Sequence, residues 1–174
     1  MTALKIIKPD IEEGLIALLE KVPLFGDIKD MPGALEEFAG YTSTAAFRTG
    51  ELIIKEGDKG DRMFILMQGQ AAVYRNTADG EGYKVVILSG DDHPFFGEGA
   101  LLDEDGRTAS IKAESDCRCV VLTRAAFDEF GSKSPHLALP IMKKVSRAVM
   151  RRVAKQGNDL VLLYNALVSQ IRGS

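Results

Sequence analysis

From Tyr41 to Thr123 the chain is cut into short β-favouring runs at intervals of about ten residues. The runs are Ser43–Arg48, Glu51–Lys55, Met63–Met67, Ala71–Arg75, Tyr83–Leu88, Ser110–Ala113 and Cys119–Leu122. Between them stand turn signals: Thr49-Gly50, Gly57-Asp58-Lys59-Gly60, Gln68-Gly69, Asp79-Gly80-Glu81-Gly82 and Ser89-Gly90-Asp91-Asp92. Strands this short and this evenly spaced predict a sandwich or barrel of antiparallel strands. The fold class is mainly β: an antiparallel β-roll, jelly-roll-like, with helices on either side.

The flanks have helical periodicity. Ile11, Leu15, Leu18, Leu19 and Val22 share one face, with Asp10 as N-cap, Pro9 before it and Glu12 and Glu13 at the positive end of the helix dipole. Pro23 ends this helix, and a second short one runs from Gly33 to Ala39. After Thr123, Phe127 and Phe130 belong to a short helix. Ser134 then reads as an N-cap with Pro135 at the first helical position. Ile141, Met142, Val145, Val149 and Val153 form an apolar stripe, and Pro140 is placed to kink the first turns. Gly157-Asn158 is expected to break the helix. The tail from Leu160 to Ile171 is too apolar for one exposed helix, so it is expected to dock on the body or on a partner. The resulting organisation is an N-terminal helical segment 1–40, a roll 41–123, helices 124–156 and an apolar helix 157–174.

Length and composition bound the function. A chain of 174 residues with 45% hydrophobic residues is one ordinary globular domain. No apolar run approaches the ~20 residues of a membrane span, and no signal-peptide stretch opens the chain, so a cytoplasmic location is expected. The formal charge is −3, yet the segment from Gly131 to Gly157 has seven basic residues and no acidic one. Such a stretch suits contact with nucleic acid, a membrane surface or an anionic ligand; it equally suits a solvated helix face. Cys117 and Cys119 are one residue apart, a spacing that rarely bridges, and core packing is their expected role. With only His93 and His136 besides, a metal centre of the kind found in roll-shaped enzymes lacks ligands. No nucleophile–base set is visible, so the chain is not expected to be an enzyme.

The segment with chemistry runs from Phe96 to Ser110. Gly97 and Gly99 let the backbone approach a ligand with its N–H groups uncovered. Ala100-Leu101-Leu102 can form one helical turn, a ready anion site. Arg107, just before the apolar run that starts at Ser110, can make a forked contact to a phosphate, and Thr108 adds a hydroxyl. Glu98 is an acceptor beside this anion site, which makes sense if the ligand also presents hydroxyls, as a ribose does. A plain surface turn with a Glu98–Arg107 ion pair is the competing reading.

Gly97-Glu98-x-Ala100-Leu101, followed nine residues after the glutamate by Arg107-x-Ala109-Ser110, resembles the phosphate-binding cassette of cyclic nucleotide-binding domains. Val22-Pro23-Leu24-Phe25, Gly50-Glu51, Glu56-Gly57-Asp58 and Phe64-Ile65-Leu66 with Gly69 resemble other parts of that family, and the likeness extends from about Val22 to Lys155. The resemblance implies that Arg107 pairs with the cyclic phosphate and that N–H groups near Ala100 and Ala109 complete the cradle. It implies that Glu98 accepts from the ribose 2′-hydroxyl and that the base lies over Val86 and Leu88. The basic helix would be a lid, with Arg147, Ala148, Arg151 and Arg152 as the residues placed to touch the base. Thr108 resembles the threonine with which some members bond a guanine, so the ligand is cAMP or cGMP. Gly99 departs from the bulky apolar residue usual there and is expected to loosen the cassette. The implied role is a regulatory module that signals through its C-terminal helices to an effector protein or a second copy. A catabolite-activator-type regulator would need ~60 further residues for a recognition helix. About twenty follow Lys155, so sequence-specific DNA binding is not expected. The remaining alternatives are a scaffold that has kept the fold and lost the ligand, or a piece of a transcription regulator.

Overall fold

A computed structural model of the chain describes residues 13–76, 82–102 and 106–172. Two short helices, α1 (Glu13–Leu19) and α2 (Ala34–Ala39), precede eight strands. These are β1 (Ser43–Phe47), β2 (Leu52–Ile54), β3 (Arg62–Gln68), β4 (Gln70–Asn76), β5 (Gly82–Ser89), β6 (Phe95–Phe96), β7 (Ser110–Ala113) and β8 (Cys117–Thr123). Helices α3 (Arg124–Lys133) and α4 (Pro135–Arg172) close the chain. The strands form two sheets of four, ordered β1-β8-β3-β6 and β2-β7-β4-β5, with every pair antiparallel. This is the roll with flanking helices that the spacing of turns predicts. The Asp10 cap and the Asp79–Glu81 part of the β4–β5 turn lie outside the described residues.

Strand periodicity explains how two cores share one sheet. Successive side chains of a strand point to opposite faces. On β3, Phe64 and Leu66 enter the roll while Met63 and Ile65 face the helices; all four are at most 2% exposed. On β8, Cys119 and Val121 point inward while Val120 and Leu122 point to the helices. These strands therefore read as continuous apolar runs. Cys117 and Cys119 share the inner face, packed among Phe47, Phe64 and Val121. On the helical side Phe130 of α3 is fully buried, with its ring 5.6 Å from Phe38 and 5.3 Å from Tyr41. That cluster seats α3 against α2 and the connector that enters β1, and thereby fixes where α4 begins.

Three local expectations are corrected. The strand β6 has no counterpart in the sequence reading, because two residues after Pro94 are too few to show alternation. Ser134 does stand just before Pro135, the first residue of α4, with its carbonyl accepting from Ala138, but its hydroxyl bonds Glu37 of α2 and not the first turn. Helix α4 also does not break at Gly157-Asn158; it continues to Arg172. A lone glycine costs only about 1 kcal/mol against alanine, and no proline follows to stop propagation.

The buried apolar side chains of helix α4 lie near its start. Leu137, Ala138, Ile141 and Val145 are buried against the body. From Arg151 to Ala166 the side chains are exposed, including Val153 at 60% and Leu160 at 69%. The apolar side chains from Val153 to Tyr164 therefore do not pack on this body.

Candidate functional site

The site is built where β6 turns back from the sheet. Phe96 stacks on Phe64 with ring centroids 5.5 Å apart, which anchors the segment. Gly97 then adopts φ 74°, a left-handed conformation that favours glycine, and leads into a short 3₁₀ turn over Glu98–Leu101. The turn buries Glu98, Ala100 and Leu101 and leaves Gly99 exposed, with nothing within 4 Å of where its side chain would be. Arg124, at the start of α3, donates to the Ala100 carbonyl at 2.7 Å and ties the turn to the helices.

Arg107 comes to the same place from the other side. Its backbone N–H donates to Asp58 and its carbonyl accepts from Gly57, both at 2.9 Å. These bonds clasp the loop before β7 to the turn after β2. One residue into β7, Ser110 Oγ accepts from the Glu56 N–H at 2.9 Å. The half-buried guanidinium donates to the Gly97 carbonyl at 2.9 Å and to the Arg62 carbonyl at 2.8 Å. Of its five N–H donors, two are spent in fixing the fork. A Cβ at Gly60 would overlap the guanidinium, and one at Gly97 would lie 2.9 Å from its Nη1. Two glycines thus leave a slot for one arginine.

The electrostatics fit an anion. Burial pushes the Arg107 pKa below its ordinary value, while the Asp61 carboxylate nearby raises it; an arginine under such opposing influences stays charged. Asp61 is itself held ionised by its bond to Arg62, at 2.8 Å. The remaining positions expected of a ligand site line one inner row of the second sheet. Val86 pairs with Val73 and Leu88 with Ala71, and Ile111 of β7 also pairs with Val73. Val86 is 46% exposed and Leu88 half-buried, an apolar wall open on one side. Thr108 is exposed and Ala109 half-buried beside Arg107.

The residues of α4 that the resemblance places at the base differ in their contacts. Arg151 is exposed and makes no contact among the hydrogen bonds and ion pairs described, whereas Arg152 reaches the cassette. Its Nη1 pairs with Glu98 Oε1 and its Nη2 donates to the Phe95 carbonyl at 2.9 Å. The guanidinium also lies 5.4 Å from the centre of the Phe95 ring. A Glu98–Arg107 pair, the alternative surface-turn reading, is not formed: each takes other partners. Gly60, the Arg62 carbonyl and Asp61 were not singled out in the sequence. The Gly57–Gly60 turn signal marked the place but not its purpose.

Comparison with known proteins agrees with this fold. The family model of the cyclic nucleotide-binding domain matches residues 44–134, so the chain belongs to that family. The cAMP-dependent protein kinase regulatory subunit of Emericella nidulans is 37% identical over 111 residues, which is 64% of this chain and 25% of that protein. The chain thus spans about a quarter of the length of that relative. Among solved structures, a cyclic nucleotide-binding domain from Methylobacillus flagellatus superposes with TM-score 0.70 at 20% identity, over 82% of this chain and 78% of the other. The regulatory domain of Toxoplasma gondii PKA, crystallised with cAMP, gives 0.62 at 23% identity over 78% of this chain and 49% of the other. Both likenesses show the fold. Among the described residues no three His, Cys, Asp or Glu side chains gather to hold a metal, and no helix is long and apolar enough to cross a membrane.

Proposed function

We propose that this chain is a cytoplasmic regulatory module, not an enzyme, that binds cAMP or cGMP in the roll and passes occupancy to a partner through α4. The observation that carries the reading is the arginine fork. Arg107 is aimed by two carbonyls and slotted between two glycines, with the buried carboxylate of Glu98 on the same turn as Gly97. The cyclic phosphate would take the remaining Arg107 donors and N–H groups of the turn other than those of Ala100 and Leu102, which donate to Gly97 and Gly99. Glu98 would accept from the ribose hydroxyl, and the base would lie on Val86 and Leu88. Thr108, exposed next to the fork, is where a guanine amino group would be read.

Ligand that touches both the roll and α4 favours the arrangement in which the two are packed together, and it shifts the population of α4 accordingly. The exposed stripe of Val153, Leu160 and Tyr164 is where an effector protein or a second copy would sense that shift.

Titration calorimetry with cAMP and cGMP tests the reading. Truncation in Arg107→Ala leaves the phosphate without its partner and should cost about 2–5 kcal/mol of binding. Unchanged affinity in that variant, or no heat with either nucleotide in the unaltered chain, would overturn it. A thermal-shift series gives a second check, because ligand at 100 times Kd should stabilise the fold by about 2.7 kcal/mol.

A further inference from the structure

The basic stretch from Gly131 to Gly157 is only partly matched by carboxylates of the chain itself. Lys133 pairs with Glu129, Lys144 with Asp27 and Arg152 with Glu98. Lys143, Arg147, Arg151 and Lys155 recur every four residues along α4, are exposed, and enter none of the ion pairs among the described residues. We infer that α4 is a peripheral membrane anchor: it lies along an anionic bilayer, with these four cations at the headgroups and its exposed apolar residues in the acyl boundary. The inference goes beyond the nucleotide-binding role proposed above and does not depend on it.

Helix phase gives the surface its direction. At about 100° per residue, Leu139, Lys143, Met150 and Val161 lie about 160–180° around the helix from Ile141, which is buried on the body. Leu139, Met150 and Val161 are 56%, 70% and 57% exposed. Arg147 flanks this line on one side, and Val153 and Tyr164 flank it on the other. Cations and apolar residues thus share the side of α4 turned away from the body, and a flat surface meets that side before it meets the roll. Charge acts in the same sense. Helix α4 has seven Lys and Arg against one acidic residue, Asp159, a net charge of +6, which leaves the rest of the chain at −9. A negative surface therefore attracts the helix and repels the body.

The far half of the helix supplies the apolar contact. Leu160, Val161, Leu162 and Leu163 follow one another at steps of about 100°, so they face every side of the helix, and all four are 57–69% exposed. A second copy paired along α4 would cover one stripe of about 100°, leave the other sides in water and set like charges beside each other. The acyl boundary of a bilayer takes up more of the circumference, and its headgroups supply the missing anions. The apolar stretch Leu160–Ile171 is twelve residues, about 18 Å of helix, against the ~30 Å of a hydrocarbon core. The helix therefore lies in the interface and does not cross.

The test is vesicle sedimentation with the full chain and no nucleotide. The probes are vesicles of phosphatidylcholine alone and of phosphatidylcholine with about a third phosphatidylserine. The chain should bind the anionic vesicles at least about tenfold more tightly than the neutral ones. Raising salt from about 0.1 M to about 1 M shortens the screening length from about 10 Å to about 3 Å and should remove that preference. Lys143→Gln and Arg147→Gln should each weaken anionic binding about fivefold, and Val161→Asp at least as much. All three positions are exposed, and circular dichroism checks that the variants fold. Binding to neither vesicle, equal binding to both, or charge variants that bind as well as the unaltered chain would each overturn the inference. So would a dimer in light scattering that stays in the supernatant, which would assign the stripe to a second copy. Nucleotide binding is measured separately by calorimetry, so failure of one role is told apart from failure of the other.

Discussion

Helix α4 contains two regions of similar composition and opposite fate. In its first turns Leu137, Ile141 and Val145 are at most 3% exposed, while in its last turns Leu160, Leu163 and Tyr164 are 64–69% exposed. Both sets recur with helical period. The difference lies in phase: Val153, Leu160 and Tyr164 fall about a quarter turn away from the face of Ile141, Val145 and Arg152. The first face continues onto the roll through Arg152, and the second runs past it. Apolar periodicity thus establishes that a face exists; what covers it is decided by where the preceding helix is seated.

The largest effects should separate the two regions. Ile141→Ala should destabilise the chain by about 2–5 kcal/mol in urea titration, as buried aliphatic truncations do. Leu160→Ala should change the stability of the monomer by less than about 0.5 kcal/mol. Equal losses at both positions would break the comparison, because they would mean that the far half is packed in solution. A Leu160→Ala loss that grows with protein concentration would sharpen it, by showing that a second copy covers the stripe.

Smaller effects probe the roll. Gly60→Ala puts a methyl into the Arg107 slot and should cost about 1–3 kcal/mol, as over-packing does, with a parallel loss of nucleotide affinity. The inner-face cysteines give a pH signature. Burial raises the pKa of both thiols, most strongly at Cys119, above the 9.0 of an exposed thiol. The unfolded chain then loses these protons first, so stability should fall as pH rises past 9, and native Cys119 should resist alkylation that is rapid in urea. The smallest expected change is at Gly99, whose side-chain space is open. Gly99→Ala should stabilise by about 0.4–1 kcal/mol through the unfolded state, read by thermal melting. A loss there instead would mark a close backbone approach during binding.

What the sequence shows of this molecule follows the range of the interactions involved. The strands and their order of appearance are legible because turn chemistry is local: glycines at 50, 57, 69 and 97 all have positive φ where they reverse or redirect the chain. The cassette is legible because its glycines, Glu98 and Arg107 lie within one short segment. Strand β6 is too short to show a period. The use of Gly60 is hidden because the side chain it admits comes from 47 positions later, after the chain has crossed the roll. The choice of Arg152 over Arg151 depends on the phase at which α4 docks, and that phase is set by Phe130, Phe38 and Tyr41 in other elements. The break expected at Gly157 overvalued a single residue against the propagation of a long helix.

One consequence follows from the length of α4. Arg152 pins the helix to the cassette, and twenty residues continue beyond it to Arg172. At 1.5 Å per residue that is a rigid arm about 30 Å long, so a tilt of about 10° at the pin sweeps its tip through about 5 Å. A displacement of less than a hydrogen-bond length at the cassette becomes a movement as large as a whole side chain at the far end. Amplification of that kind needs no refolding, only a stiff rod with its fulcrum at the cassette.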